Sequence, residues 1–447
     1  MSTIPAFTAD WVQQRFGVSL AETTPPGEDH AEGNDTDGNE SAYRLDQLVI
    51  LGLRRNKRRA HLLVSTVLGK HIPTPPRQVR GAADALGDAV IAAIGASAAA
   101  QSTVLGFAET ATGLGHCVAH RLGAEVYLHS TRRHLPGVTV AGSFEEGHSH
   151  ATTHLLQPRS AELMSRTAGA PLLLVDDEIS TGSTALQAIS QLHQIFARDH
   201  YVVASLIDLR DETHRQKSVE FATELGIRID YVALATGHIE LPEHLTDEVW
   251  ALTADPLNPV AANGVRGHVT EVALAWPPEV PDGGRYGILS SETDDFLAAA
   301  STAATYARAH LDPDREVVVV GHEELMYLPL VIAEELADAG LTVRYQTTTR
   351  SPAHVNNSDG YPLRRGFTFT APESDPGTPR FIYNIVTPGN PDQTPPQVLL
   401  VIDSPADTPQ LRADGGLLDV LTAAGHDVVL AIVAASDQQT LAKGLHR

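Results

Sequence analysis

Short apolar blocks alternate with helix-like segments between residues 103 and 235. The blocks TVLGF, AEVYLHS, PLLLVDD and YVVASLIDL are nearly continuous in apolar residues, which is typical of strands buried on both faces. Segments between them, such as STALQAISQLHQIFA, have apolar positions every three or four residues. This alternation predicts a parallel sheet covered by helices.

A second series of the same kind follows. It contains a helix over Thr293–His310, the strand EVVVVG, a further helix, and the strands TVRYQTT, RFIYNIV, QVLLVID and DVVLAIVAA. The stretch between the two series is rich in proline and has no period. We therefore predict an α/β protein with two Rossmann-like parallel-sheet domains, at residues 43–240 and 284–447, joined by an irregular connector at 241–283.

The beginning of the chain differs in composition. Residues 21–41 are rich in acids, glycine and proline and have no apolar period, which predicts a disordered acidic linker within an N-terminal segment 1–42. The first residues lack the basic-then-apolar order of a signal peptide, and the longest apolar run, Ala89–Ala100, is too short to cross a bilayer. The single Cys117 excludes an internal disulfide. We expect a soluble, cytoplasmic protein.

The net charge of the chain limits the classes of partner that the protein can bind. The 447 residues have a formal net charge of −23, which argues against general binding to nucleic acid or to a membrane surface. One basic cluster nevertheless lies upstream of the first series. It is either a solvated face or a contact for an anionic substrate, and it comprises Arg54, Arg55, Lys57, Arg58, Arg59 and the Lys70-His71 pair.

The most specific motif is VDDEISTGST at residues 175–184, where a buried strand meets a helix. Asp176 and Asp177 are placed to hold two ribose hydroxyls, directly or through Mg²⁺. Gly182 allows the backbone to approach a phosphate closely. An N-capped helix with solvated acids is the alternative, but it does not explain two carboxylates beside a TGST run. The donors predicted at the helix N-terminus are Ser180, Thr181, Gly182, Ser183 and Thr184.

An apolar strand, two acids and a TGST loop resemble the signature of type I phosphoribosyltransferases. The resemblance implies a Rossmann-like first domain and a reaction in which a nucleophile, usually a base nitrogen, displaces pyrophosphate at C1′ of phosphoribosyl pyrophosphate (PRPP). It also implies PRPP and an acceptor base as ligands, Mg²⁺ as cofactor, and a catalytic role for Asp176 and Asp177.

That chemistry requires two further elements, and the sequence has a candidate for each. The loop Gly106–Gly113 follows the first strand and would cradle pyrophosphate through Ala108, Glu109 and Thr110, with Lys70 beside it; a plain helix cap is the alternative. After AEVYLHST comes a basic pair, predicted to be catalytic because a guanidinium donates two hydrogen bonds and does not deprotonate. The pair is Arg132 and Arg133.

Residues 134–150 follow the basic pair, and the stretch SFEEGHSHATTH begins within them at Ser143. We interpret Glu146, His148 and His150 as part of a candidate lid that closes over the site and supplies an acid/base group. A metal site of histidine and carboxylate ligands and a plain polar surface loop are the two alternatives.

Three motifs of the second domain resemble one branch of this family, in which the enzyme is fused to a C-terminal domain named for its Thr-Arg-Ser-Pro motif. They are TTRSP at Thr348–Pro352, GHEELMYLP at Gly321–Pro329 and FIYNI at Phe381–Ile385. The resemblance implies a tellurium-resistance-type gene neighbourhood and a nucleoside-like metabolite made for a stress response. The chain departs from the branch in its acidic insertion and in Asn56-Lys57, where a proline is expected.

The two series also resemble each other. Glu109 follows a strand-ending glycine by three residues in the first series, as Glu324 does in the second, and LLLVDD is similar to LLVIDS. We predict that the second domain is a degenerate copy without the TGST loop, so that the chain is a covalent pseudo-dimer; chance similarity and a structural TTRSP turn are the alternatives, and a homo-oligomer stays open. The candidate functional residues of the second domain are Glu324, Thr349, Arg350 and Ser351.

Three functions are compatible with these features. The first is an active PRPP-dependent transferase, the second a PRPP-binding regulator without turnover, and the third a partner-binding module dominated by the second domain. A pure sensor needs neither the basic pair nor a lid, so the residues favour the enzyme. The acceptor base cannot be read from the sequence.

Overall fold

The computed structural model describes residues 11–23, 43–57, 59–145, 153–373, 377–385 and 394–444. The strands are β1 Ser19–Glu22, β2 Val49–Leu53, β3 His61–Ser65, β4 Thr103–Gly106, β5 Val126–His129, β6 Gly142–Glu145, β7 Thr153–Leu156, β8 Leu172–Ile179, β9 His200–Asp208, β10 Arg228–Glu240, β11 Val269–Leu274, β12 Ile288–Leu289, β13 Val317–Gly321, β14 Val343–Thr347, β15 Gly366–Thr370, β16 Pro379–Tyr383, β17 Gln397–Asp403 and β18 Val428–Val433.

The α-helices follow the same order along the chain. They are α1 Trp11–Phe16, α2 Leu45–Leu48, α3 Pro76–Ile94, α4 Ala96–Ala100, α5 Ala111–Leu122, α6 Ala161–Ser165, α7 Ser183–Ile195, α8 Glu212–Leu225, α9 Leu245–Ala251, α10 Thr293–Arg308, α11 Tyr327–Asp338, α12 Pro409–Arg412, α13 Leu417–Ala423 and α14 Gln438–Gly444. Short 3₁₀ turns lie at Gly284–Tyr286, Ser290–Glu292 and Ser404–Ala406. No helix among the described residues combines the length and the apolar character that a membrane span needs.

The first sheet has seven strands in the order β1-β10-β9-β8-β4-β5-β12. Its five inner strands are parallel, and β1 and β12 pair antiparallel at the two edges. Alternate residues of β8 point to opposite faces: Leu172 and Leu174 pack with the apolar side of α7, whereas Leu173 packs in the cluster that contains α3 and α5. Helices therefore cover both faces, as the continuous apolar strands predict.

The second sheet has the order β11-β18-β17-β13-β14, and all of its strands are parallel. Two parallel-sheet domains confirm the predicted fold class. A β15–β16 hairpin lies outside this sheet, so the segment RFIYNIV is not one of its parallel strands. Residues 409–423 form two short helices, α12 and α13, because Ala413 leaves the helical conformation and Gly415 has a φ of +72°.

The predicted domain bounds differ from the observed strand pairing. In the N-terminal segment, β1 adds to the first sheet beside β10. In the connector, β11 is an edge strand of the second sheet, and α9 lies within the stretch expected to be irregular. The short strand β12, assigned to the second domain, pairs with β5 of the first. The second domain therefore contributes an edge strand to the first sheet, and the connector contributes one to the second sheet.

The predicted similarity between the two series extends to strand order. The run β9-β8-β4-β5 of the first sheet corresponds to β18-β17-β13-β14 of the second. In the first sheet, the strand on the other side of β9 is β10, which follows β9 in the chain. In the second sheet, the strand on the other side of β18 is β11, which precedes β18 in the chain. Equivalent hydrogen bonds also occur in the two domains. The N–H of Ala108 donates to Ser130 Oγ at 2.9 Å, and the N–H of Glu323 donates to Thr348 Oγ1 at 3.0 Å. These correspondences support a duplication.

Candidate active site

The two acids of the VDDEISTGST motif lie in the last part of β8, which continues to Ile179. Both carboxylates are half-buried, and the N–H of Asp177 donates to Asp176 Oδ1 at 2.9 Å. The Lys70 ammonium lies 3.5 Å from Asp177 Oδ2. Two half-buried carboxylates on a cleft wall offer the hard oxygen ligands that Mg²⁺ prefers, so these residues fit the ion that the resemblance implies.

The β8–α7 turn, Ser180–Thr184, has the geometry of an anion site. Gly182 has a φ of +76°, a left-handed conformation that favours glycine, and it immediately precedes α7. Thr181 Oγ1 accepts from the Ser183 N–H at 3.3 Å. Within the described residues, no group accepts a hydrogen bond from the N–H of Gly182 or Thr184. These donors and the positive end of the α7 dipole are available to a phosphate.

The β4–α5 loop, Phe107–Thr110, lies beside the acid pair. Lys70 Nζ donates to Thr110 Oγ1 at 2.7 Å and thereby connects this loop to Asp177. The N–H of Ala108 is already used by Ser130, but no described residue accepts from the N–H of Glu109 or Thr110. The loop is shorter than predicted, because α5 already begins at Ala111.

A cleft of about 460 Å³ brings these elements together, and both domains contribute to its wall. The first domain contributes the β2–β3 hairpin, Lys70, the β4–α5 loop, the end of β8 and the start of α7, and the second domain contributes the TTRSP segment. The residues that line the cleft are Arg54, Arg59, Leu62, Leu63, Lys70, Phe107, Ala108, Glu109, Thr110, Arg132, Asp176, Asp177, Glu178, Ser180, Thr184, Thr349, Arg350, Ser351 and Pro352.

Two arginines, one from each domain, face the β4–α5 loop. Arg132 lines the cleft, and its Nη2 lies 3.3 Å from His154 Nε2. Arg350 contacts the carboxylate of Glu109 and forms a bidentate pair with Glu323 at 2.9 and 3.0 Å. Burial and the nearby Glu323 raise the pKa of Glu109 to about 7, although Arg350 and Arg132 act in the opposite direction. The second domain therefore supplies a cation to a cleft built mainly by the first.

Arg133 was predicted to be catalytic, and the structure corrects this. Its side chain is 3% exposed and pairs with Asp403 of the second domain at 2.6 Å, away from the cleft. Glu324, predicted as a functional residue, is also buried: it accepts from Thr131 Oγ1 at 2.7 Å and lies 3.4 Å from both Arg133 and Arg285. Arg133 and Glu324 thus form an ion-pair cluster that holds the two domains together.

The same cluster fills the place where a second acid pair would bind a sugar. Asp403 is the last residue of β17 and the acid pair lies near the end of β8, but Arg133 and Arg285 form ion pairs with the Asp403 carboxylate. Burial would raise the pKa of Asp403, yet the two guanidiniums lower it to about 2. The second domain therefore has a strand that corresponds to β8, but the carboxylate at its end is neutralised by two arginines of the protein itself.

The lid residues Glu146, His148 and His150 lie outside the described residues. The hairpin that flanks them is described: β6 and β7 pair antiparallel, and Phe144 stacks on His154 at a ring distance of 4.6 Å. His154 Nδ1 also lies 2.8 Å from Ser130 Oγ. The base of the predicted lid is thus attached to the end of β5, close to Arg132.

Seven residues that line the cleft were not among the predicted site residues: Arg54, Arg59, Leu62, Leu63, Phe107, Glu178 and Pro352. Arg54 and Arg59 belong to the basic cluster, for which the sequence left open whether it is a solvated face or an anion contact. The carboxylate of Glu178 contacts Arg59. Leu62 and Leu63 look like ordinary strand residues. The only feature of the sequence that could have indicated their role is that they follow the basic cluster closely. The sequence does not show that the β2–β3 hairpin lies at the cleft, because this position depends on tertiary packing.

Among the described residues, one other group has the composition of a metal site. The ligand atoms of His322, Glu323 and Glu373 lie within 4.8 Å of one another. Arg380, however, contacts Glu323 and lies 3.1 Å from Glu373, and Arg350 pairs with Glu323. Because guanidiniums already neutralise these carboxylates, we interpret the group as an extension of the interdomain ion-pair cluster.

Several solved structures match part of this chain at low similarity. An adenine phosphoribosyltransferase from Rhodothermus marinus DSM 4252 is 20% identical, with coverage of 42% of this chain and 94% of that chain and a TM-score of 0.27. An adenine phosphoribosyl transferase from Trypanosoma brucei is also 20% identical, with coverage of 41% and 70% and a TM-score of 0.26. An orotate phosphoribosyltransferase from Aeropyrum pernix is 19% identical, with coverage of 40% and 79% and a TM-score of 0.23. No curated protein matches the chain.

Two family models match the chain in succession and together cover well over half of it. A phosphoribosyl transferase model matches residues 48–238, which contain the acid pair, the β8–α7 turn and the β4–α5 loop. A model for the TRSP domain, described as C-terminal to that transferase, matches residues 282–421, which contain Thr349–Ser351. The order of the two matches agrees with the predicted fusion. The chain therefore belongs to the phosphoribosyltransferases that carry a TRSP domain on their C-terminal side.

Proposed function

We propose that the enzyme transfers ribose 5-phosphate from PRPP to a nitrogenous acceptor and releases pyrophosphate. One observation carries this proposal: the same cleft is lined by the start of α7, by the acid pair and by the cations Lys70, Arg132 and Arg350, which suit the phosphate, the ribose and the pyrophosphate of one molecule. The 5′-phosphate would accept from the N–H groups of Gly182 and Thr184, and the ribose hydroxyls would lie against the acid pair.

The pyrophosphate end is assigned to the other side of the cleft. The free N–H groups of Glu109 and Thr110 and the side chains of Lys70, Arg132 and Arg350 would bind it. Asp176 and Asp177 would hold Mg²⁺ through the ribose hydroxyls, and the ion when bound would neutralise phosphate charge. Arginine is suited to this role because its planar fork donates paired hydrogen bonds to phosphate oxygens.

The reaction follows from this placement. The acceptor nitrogen donates its electron pair to C1′ while the C1′–O bond to pyrophosphate breaks, and that bond's electrons leave with pyrophosphate. The nitrogen then loses its proton to solvent or to a nearby base. Lys70, Arg132 and Arg350 stabilise the charge that develops on the departing oxygen. We assign the product to nucleoside-like metabolites of a stress response on the sequence resemblance alone.

The second domain completes the cleft in this proposal and does not bind PRPP itself. Its β17 has no TGST turn after it, and Asp403 is neutralised by Arg133 and Arg285. Its contribution is the TTRSP segment, which lines the cleft with Thr349, Arg350 and Ser351. The chain would thus act as a covalent pseudo-dimer with one working site.

The test is pyrophosphate release from PRPP and Mg²⁺ with a panel of purine, pyrimidine, pyridine and imidazole acceptors. Asp176→Asn with Asp177→Asn should abolish PRPP binding and leave folding intact, because substitutions at half-exposed strand ends usually cost about 0.5 kcal/mol each. The matched control is Asp211→Asn, an exposed acid that caps α8 far from the motif in sequence. Unchanged PRPP affinity in the double variant would refute the assignment.

A further inference from the structure

His154, a fully buried residue of β7, contacts one of the guanidiniums that the proposed function assigns to pyrophosphate. The two atoms that meet are His154 Nε2 and Arg132 Nη2, 3.3 Å apart. A guanidinium has only donors, so in this hydrogen bond the arginine donates and His154 Nε2 accepts. The histidine must therefore be neutral with its proton on Nδ1, because a protonated imidazole has no acceptor and would repel the guanidinium.

The other nitrogen of the ring has a partner that fits this tautomer. His154 Nδ1 lies 2.8 Å from Ser130 Oγ, and the same oxygen accepts a hydrogen bond from the Ala108 N–H at 2.9 Å. A hydroxyl oxygen has two lone pairs, so Ser130 can accept from both groups. Arg132 thus donates to the imidazole, and the imidazole donates to Ser130.

Packing fixes both the ring and the backbone that carries it. The His154 ring stacks on Phe144, with ring centroids 4.6 Å apart and planes inclined by 13°. Thr131 and Leu155 exchange two backbone hydrogen bonds, of 2.9 and 2.8 Å, and they are the chain neighbours of Arg132 and the histidine. A ring that is held in this way presents Nε2 at one place and so restricts where the guanidinium can lie.

A restricted arginine favours binding of an anion. A long side chain that is free before binding loses rotamer freedom when a ligand orders it, and a side chain already held in place avoids much of this loss. The guanidinium has five N–H donors, so the bond to the histidine leaves others for phosphate oxygens. On the basis of the proposed function, we infer that His154 is a positioning residue, which holds the Arg132 guanidinium in place for the pyrophosphate group of PRPP.

The test is a double-mutant cycle, measured by calorimetric titration of the full-length enzyme with pyrophosphate and Mg²⁺. His154→Phe keeps a flat ring beside Phe144 and removes both hydrogen bonds of the imidazole. It should lower pyrophosphate affinity about three- to tenfold, the effect expected for one charge-assisted hydrogen bond. In an Arg132→Met background the same change should lower it by about twofold or less, because a residue that acts through Arg132 has no effect without it.

Two further variants separate positioning from packing. A glutamine amide can accept from Arg132 and donate to Ser130, so His154→Gln should keep more of the affinity than His154→Phe. His193→Phe is the matched control, because His193 Nδ1 lies 3.0 Å from the Tyr201 hydroxyl in the last turn of α7, outside the cleft wall. This control should leave pyrophosphate affinity unchanged, and thermal unfolding of every variant measures the loss of stability separately.

The tautomer can be measured in the wild-type protein, which keeps the inference testable if His154→Phe does not fold. In NMR spectra of enzyme with isotope-labelled histidine, the His154 signals are those that disappear in His154→Gln. Near neutral pH they should show a protonated Nδ1 and an unprotonated Nε2. A proton on Nε2 would overturn the inference, since such a ring cannot accept from Arg132.

Three results of the titrations would also overturn it: unchanged affinity in a folded His154→Phe variant, equal losses in His154→Phe and His154→Gln, or equal losses with and without Arg132. The last result would mean that His154 supports the surrounding loops and does not act through the arginine. PRPP binding by the wild type would still support the transferase in each case. A wild type that binds neither PRPP nor pyrophosphate would contradict the proposed function, and this inference with it.

Discussion

Arg132 lines the cleft, whereas Arg133, the next residue, is 3% exposed and pairs with Asp403 at 2.6 Å. Successive side chains at the end of a strand point to opposite sides, so a basic pair in sequence is rarely a basic pair in space. The sequence indicated two cations for pyrophosphate. It could not show that one of them faces the second domain, because that depends on how the two domains pack.

The two arginines should therefore respond differently to substitution. Arg132→Met should lower pyrophosphate affinity by about tenfold or more and cost less unfolding free energy than Arg133→Met, because Arg132 is only half-buried on the cleft wall. Arg133→Met should leave Asp403 buried with one cation fewer and cost about 3–5 kcal/mol of unfolding free energy. Calorimetric titration and urea unfolding of both variants check this. An intact pyrophosphate affinity in Arg132→Met would reverse the assignment.

Gly182 offers a second test at this scale. A methyl group there would meet Arg210 Cδ at 3.0 Å on a backbone with a φ of +76°. Gly182→Ala should destabilise the protein by about 1–2 kcal/mol and also weaken ribose 5-phosphate binding, because the turn must shift.

Gly226 is the matched control for Gly182. It has a φ of +66° with nothing within 4 Å of an added Cβ, and it ends α8. Gly226→Ala should show a similar loss of stability in thermal unfolding and an unchanged affinity for ribose 5-phosphate. Equal affinity in both variants would mean that the β8–α7 turn does not bind the phosphate.

Elements with a clear period were predicted with nearly correct bounds. β8 and α7 are examples, because a continuous apolar run and a three-to-four residue repeat each specify one structure. Short edge strands were missed. β11, VTEVAL, buries only Val272 and Leu274, and β12 has two residues, so neither leaves a strong pattern. Their assignment depends on pairing partners that are distant in sequence.

This pairing predicts how the second domain behaves alone. A piece that begins at residue 284 lacks β11, whereas one that begins at residue 268 keeps it. The longer piece should be more stable by about 3–6 kcal/mol, the contribution expected from burying Val272 and Leu274 against the sheet. Urea unfolding of both pieces measures the difference. Equal stability would show that β11 contributes nothing to the second sheet.

At the scale of the whole molecule, the candidate site lies between the domains. The acid pair, Lys70, Arg132 and Arg350 were all predicted from sequence, and the structure places them on one cleft together with Ser180 and Thr184 of the β8–α7 turn. What the sequence could not show is that the β2–β3 hairpin and the TTRSP segment meet over that cleft. The two segments are held at the cleft by contacts between residues that are distant in sequence. For example, the Leu53 N–H donates to Tyr361 Oη, 308 positions further along the chain.

Arg350 tests the contribution of the second domain. Arg350→Ala should weaken pyrophosphate binding by about tenfold, since it removes one charged contact from the leaving group. Arg344→Ala is the matched control: Arg344 has a similar exposed fraction, 31% against 27%, and pairs with Glu316 away from the cleft. Titration with pyrophosphate and thermal unfolding of both variants separate binding from folding. The same affinity in the two variants would leave the TTRSP segment with a structural role only.

A crystal structure of the full-length enzyme with PRPP and Mg²⁺ would test the proposed site directly. We expect the 5′-phosphate to lie at the N-terminus of α7 against Gly182 and Thr184, with the ribose over Asp176 and Asp177. We also expect the pyrophosphate to contact Arg132 of the first domain and Arg350 of the second. A 5′-phosphate bound elsewhere, or a PRPP molecule bound at Asp403 in the second domain, would contradict the proposed site.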